Sequence, residues 1–120
     1  MQSIEECYNA FLNRLKYYHY DTKGITFTWF LVFRKRTQAQ KLWWHLLKYK
    51  KVTSAEAERI YFFCHPPSII RDIRKKLKAD RSDYRIENIT KEGLDCWGNA
   101  SKYDEYTLNL NFEQKTEELL

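Results

Sequence analysis

Only two prolines occur in the 120 residues, and they are adjacent, in His65-Pro66-Pro67. Proline disfavours helical backbone at the residue before it, so a helix running towards His65 must stop there. Proline also suits the first turn of a helix, where its missing N–H is not needed. The pair therefore predicts a short helix before it, a sharp turn, and a new helix over 67–79. Thr53 followed by Glu56 has the form of a capping box and starts the short helix, over about 54–61. In 67–79 the apolar residues Ile69, Ile70, Ile73 and Leu77 form one stripe. Ser68, Arg71, Asp72, Arg74, Lys75, Lys76 and Lys78 take the remaining positions.

The flanking segments follow the same logic. Ser3 with Glu6 caps an amphipathic helix carrying Ile4, Cys7, Tyr8, Phe11, Leu12, Leu15 and Tyr18. Residues 25–33, ITFTWFLVF, are β-branched and aromatic and are read as a strand, although a buried helical turn suits the same nine residues. Thr37 can cap a helix in which Leu42, Leu46 and Tyr49 share a stripe, with Trp44 and His45 at its edges. Tyr84, Ile86 and Ile89 begin a strand, Lys91-Glu92-Gly93 can turn, and Leu94 to Trp97 can return. Tyr106, Leu108, Leu110 and Phe112 alternate as in a half-buried strand. The last eight residues read as a fraying tail. The fold class expected is α+β, divided as an N-terminal helix–strand extension over 1–36, a domain over 37–112 and a tail over 113–120.

Charge is unevenly placed. Residues 34–81 hold 14 bases and 4 acids, whereas 82–120 hold 4 bases and 9 acids. The first 33 residues balance three against three. A concentrated basic stretch is the footprint expected of a polyanion binder. The plainer alternative is a solvated surface that pairs with the acidic end of the chain.

Two motifs sharpen the reading. Thr53-Ser54-Ala55-Glu56-Ala57 leads through the turn to Ile70-Arg71-Asp72-Ile73-Arg74-Lys75-Lys76, and Tyr84 to Ile86 with Tyr103 to Leu108 follow as a hairpin. Over roughly 37–110 this resembles the short winged helix-turn-helix proteins of phages and mobile elements, with Phe62 at the turn position where glycine is usual. The resemblance implies three helices with a two- or three-stranded wing sheet, and a DNA-binding regulator whose helix 67–79 lies in the major groove. Its N-terminus would offer N–H groups to phosphate. Ser68, Arg71, Lys75 and Lys78 would then face the bases, Arg71 being best suited to guanine because of its planar fork. Arg74, Lys76 and Arg81 would meet phosphates, joined by Lys48, Lys50 and Lys51. In the wing, Lys91 and Lys102 stand among Glu92, Asp95, Asp104 and Glu105, which argues against a strong minor-groove contact.

Other chemistries fare poorly. Cys64, His65 and Cys96 lack zinc-ligand spacing, so no metal and no cofactor is expected. There is no nucleophile elbow or phosphate-cradling glycine loop, and no enzyme is expected from Cys7, His19, His45, Glu56 and Asp72. Trp43, Trp44 and Trp97 could stack on bases, though core packing is the commoner use of such rings. Three cysteines are too few for a disulfide framework and suggest a reducing compartment. With no secretory signal and no apolar run of about 20 residues, a cytoplasmic protein of a bacterial cell is expected, without a membrane role. Expected partners are double-stranded DNA and a second copy joined through residues 1–33, unless those rings pack within the chain. The rival function is an inhibitor of a host defence complex, similar to anti-CRISPR proteins, contacting a host protein through the acidic C-terminal third and the aromatic N-terminus.

Overall fold

The computed structural model describes residues 2–110. In chain order these form α1 (Ile4–Tyr17), α2 (Phe27–Phe33), α3 (Gln38–Tyr49), β1 (Lys51–Thr53), α4 (Ser54–Tyr61), α5 (Pro66–Ala79), β2 (Tyr84–Leu94) and β3 (Ala100–Leu110). The strands make one antiparallel sheet in the order β1-β3-β2, so the fold is α+β. Helix starts follow local hydrogen bonds. The Ser3 hydroxyl accepts from the Glu6 N–H at 3.1 Å, and full capping boxes join Thr37 to Gln40 and Thr53 to Glu56. Pro66 and Pro67 occupy the first two positions of α5.

Two apolar clusters hold these elements. In one, Val52, Ile86, Tyr106 and Leu108 of the sheet pack on Leu42 and Leu46 of α3 and on Ile69, Ile70 and Ile73 of α5. Each such buried aliphatic side chain contributes about 1.5–3 kcal/mol relative to exposure. In the other, Phe11 and Leu15 of α1 meet Phe30 and Phe33 of α2, with Tyr20, Ile25 and Ile60 of α4. Tyr61 packs against both clusters. Apart from exposed Tyr17, the N-terminal rings pack within the chain, against α4 at Ile60 and Tyr61.

Several expectations are corrected. Residues 27–33 are helix, not strand: the Thr26 hydroxyl accepts from the Trp29 N–H at 3.2 Å, and Phe30 and Phe33 share the face that meets Phe11. Tertiary burial of that face outweighs the β-propensity of the residues. Lys91 to Gly93 do not turn, because they continue β2 opposite Tyr103 to Ser101. Leu94 ends that strand, and the reversal lies at 95–98, where one Asp95 carboxylate oxygen accepts from the N–H groups of Trp97 and Asn99. Three-residue β1 was too short to show alternation and exists through its pairing with Glu105 to Thr107. His45 is not at a stripe edge but fully buried. Phe112 and the tail lie outside the described residues.

Four helix ends use left-handed backbone without glycine: His19 (φ 63°) after α1, Lys50 (φ 70°) after α3, Phe62 after α4 and Arg81 after α5. Phe62 has φ 59° after α4, the turn position noted above, and the Arg14 guanidinium sits 4.6 Å from its ring centre while Arg14 Nε donates to the Ile60 carbonyl at 2.8 Å. Arg81 has φ 51° after α5, where the Ser82 N–H reaches the Leu77 carbonyl and the Arg81 N–H reaches that of Lys78. That pattern is a Schellman motif, and its left-handed position favours glycine. Arg81→Gly should therefore raise stability by about 0.5–1 kcal/mol in urea denaturation.

Candidate nucleic-acid interface

The functional candidate is the outer face of α5. Ile69, Ile70 and Ile73 are buried, which turns Arg71, Lys75 and Lys78 to the opposite, exposed side. At 1.5 Å per residue, the strip from Ser68 to Lys78 is about 15 Å long. Among the described residues no carboxylate pairs with Arg71, Lys75 or Lys78. The cluster that seats the N-terminal helices contains no α5 residue, so this face is uncovered by them.

The remaining predicted bases separate from that strip. Arg74 turns to the sheet: its Nη2 donates to the Ile86 carbonyl at 2.8 Å and also to Asn88 Oδ1, so it clasps α5 to β2. Lys76 lies on the other flank, in the groove facing α3, between Asp72 and Asp80 one turn away on either side. Lys50 and Lys51 stand at the β1 end of the sheet, the edge opposite β2. Lys48 Nζ donates to the Lys23 carbonyl at 3.2 Å, joining α3 to the N-terminal loop. Arg81 lines a cleft of about 520 Å³ between α5 and β2, together with Arg74 and Arg85, and Lys78, at the end of the strip, borders the same cleft.

The start of α5 offers less than expected. Pro66 and Pro67 have no N–H, and the N–H groups of Ser68 and Ile69 both point to the His65 carbonyl, at 3.1 and 3.4 Å. The expectation of free N–H groups for phosphate is thus corrected: proline removes two donors and a local turn takes the next two. Ser68 Oγ lies 3.3 Å from His65 Nδ1 and is half-buried.

The hairpin is net acidic but pairs part of its charge within itself. Lys91 pairs with Glu105 at 3.4 Å, and Glu92 stands opposite Lys102. Its turn presents Leu94 at 76% and Trp97 at 84% exposure. Trp43 packs edge-on to Tyr84, and Trp44 packs on Trp29 and Phe33, so these two rings serve the interior. Among the described residues no group of three His, Cys, Asp or Glu could hold a metal. No described helix is long and apolar enough to cross a membrane.

Residue reasoning missed one buried polar group, the His45 network. A carbonyl can only accept, so His45 Nε2–H donates to the Lys51 carbonyl at 3.1 Å and Nδ1 accepts from the Tyr61 hydroxyl at 2.6 Å. Burial lowers the His45 pKa to about 3 and raises that of Tyr61. The network ties α3, β1 and α4 together beneath the surface, away from the basic strip. Comparison with family models, curated proteins and solved structures finds no match to this chain.

Proposed function

We propose that the chain is a DNA-binding regulator of the winged-helix type that sets α5 in the major groove. The observation that carries this reading is the exposed strip of Arg71, Lys75 and Lys78 without carboxylate partners, on a helix whose other side is anchored by three isoleucines. The order α3-β1-α4-α5-β2-β3 and the sheet order β1-β3-β2 support the scaffold part of it. The major groove is about 12 Å wide and admits one helix. In this reading Arg71 contacts a base edge, Lys75 and Lys78 meet base edges or the adjoining phosphates, and Arg74 positions α5 on the sheet instead of touching DNA. No catalytic step is assigned.

The test is fluorescence anisotropy on a short duplex over a series of salt concentrations. Each neutralised phosphate releases counterions, so wild-type affinity should fall steeply with salt. The triple variant Arg71→Ala/Lys75→Ala/Lys78→Ala should bind at least about tenfold more weakly, with a shallower salt slope. Equal affinity and equal slope for variant and wild type would remove the proposal.

A second reading, binding of a host protein such as a defence complex, is favoured by the exposed Leu94 and Trp97 at the hairpin turn. It predicts that a stoichiometric protein partner is captured from host lysate after nuclease treatment and is lost with Trp97→Ala.

A further inference from the structure

Among the described residues, the outer backbone of β2 from Asn88 to Leu94 is an open strand edge, and two observations show which residues it offers. On β3, the Leu108 N–H goes to the Lys50 carbonyl at 2.8 Å, away from β2, so Ile86 and Leu108 face each other without exchanging bonds. On β2, the Ile86 carbonyl takes Arg74 from outside the sheet. Alternation then turns the N–H and C=O groups of Asn88, Thr90, Glu92 and Leu94 outward. The register from Tyr84↔Leu110 to Leu94↔Ala100 is unbroken, so no bulge bends this edge away, and it contains no proline. Among the described residues nothing pairs with the outward backbone of 88–94. A long open edge of this kind is a template for another strand.

Charge selects the occupant. Residues 87–105 hold Glu87, Glu92, Asp95, Asp104 and Glu105 against Lys91 and Lys102. The cleft beside the same edge is basic, with Arg74, Lys78, Arg81 and Arg85 around Leu77 and Tyr84. We propose that a second copy of this chain adds its β2 antiparallel to this β2, about a two-fold axis at Ile89. Ile89 then faces Ile89 of the partner subunit. Glu87 faces Lys91 of the partner subunit, and Lys91 faces Glu87 of the partner subunit. Asn88 exchanges backbone bonds with Thr90 of the partner subunit. Glu92 of the partner subunit comes opposite Ile86, whose carbonyl Arg74 already holds, so the backbone bonds across the axis are those of Asn88 and Thr90, and Leu94 of the partner subunit comes opposite Tyr84, at the mouth of the basic cleft.

Neighbouring registers lack this fit. An axis at Thr90 sets Ile89 against the partner's Lys91 and Glu87 against the partner's Gly93. An axis at Asn88 sets Arg85 against the partner's Lys91, two like charges. The Ile89 axis makes the contact self-complementary, as a two-fold interface requires. The pairing does not depend on α5 touching DNA.

Light scattering coupled to gel filtration tests it on the full chain. Wild type should shift from monomer to dimer as concentration rises. Glu87→Lys places two lysines opposite each other on both sides of the axis, and Lys91→Glu places two glutamates there, so each variant alone should dimerise at least about tenfold more weakly. An equimolar mixture of the two variants should recover the dimer, because both cross-axis pairs are then of opposite charge. In wild type, the amides of Asn88 and Thr90 should exchange hydrogen more slowly as concentration rises. A wild type that stays monomeric, a mixture no more dimeric than its components, or exchange at these two amides that ignores concentration would each overturn the proposal.

Discussion

Taking the protein from pH 7.5 to pH 5 should remove about 2 kcal/mol of stability through His45 alone. The imidazole is fully buried, and burial lowers its pKa from 6.5 to about 3. As pH falls through 6.5 the unfolded chain gains a proton that the folded chain refuses. The stabilisation from neutral His45 is therefore complete above pH 6.5 and declines by about 1.4 kcal/mol per pH unit below it. It is gone near pH 3. Urea denaturation at a series of pH values measures this slope. His45→Gln keeps a donor for the Lys51 carbonyl and an acceptor for the Tyr61 hydroxyl but cannot titrate. That variant should lose the His45 part of the slope while retaining most of the stability at pH 7.5. An unchanged slope in His45→Gln would assign the pH dependence to other groups.

Phe11→Ala should cost about 3–5 kcal/mol, the range for emptying a buried aromatic site. Phe11 is only 3% exposed, and its ring lies within 6.4 Å, centre to centre, of Trp29, Phe30, Phe33 and Tyr61. Large rings leave a space that rigid neighbours fill poorly. Tyr61 belongs to the packing of both clusters, so the loss should reach the sheet as well as the N-terminal helices. Thermal unfolding of the variant, followed by near-ultraviolet and far-ultraviolet circular dichroism, should remain one transition at a lower temperature. Two separated transitions would show that α1 and α2 melt as an independent arm.

Much of the candidate face of α5 was legible in the order of residues. Ile69, Ile70 and Ile73 recur at helical spacing, so their burial alone points Arg71, Lys75 and Lys78 outward. The fate of Arg74 was not legible, because its partners Ile86 and Asn88 come from a strand placed by folding. Lys48 is a similar case, since the Lys23 carbonyl that holds it lies in a loop before α2. His45 sits between two exposed-looking neighbours on a helical wheel, and only the arrival of Tyr20 and Tyr61 from other segments buries it.

What the order of residues determined by itself was where helices begin and where one must stop. Ser3, Thr37 and Thr53 cap through bonds that close within three residues, and Pro66-Pro67 acts on its immediate neighbours. Such signals need no distant partner. What only the tertiary structure decided was the state of 27–33, the existence of β1, the length of β2, the burial of His45, and which cations stay in water. Each of these depends on side chains brought together across long stretches of chain, where the free energy of packing exceeds the smaller preference any residue has alone.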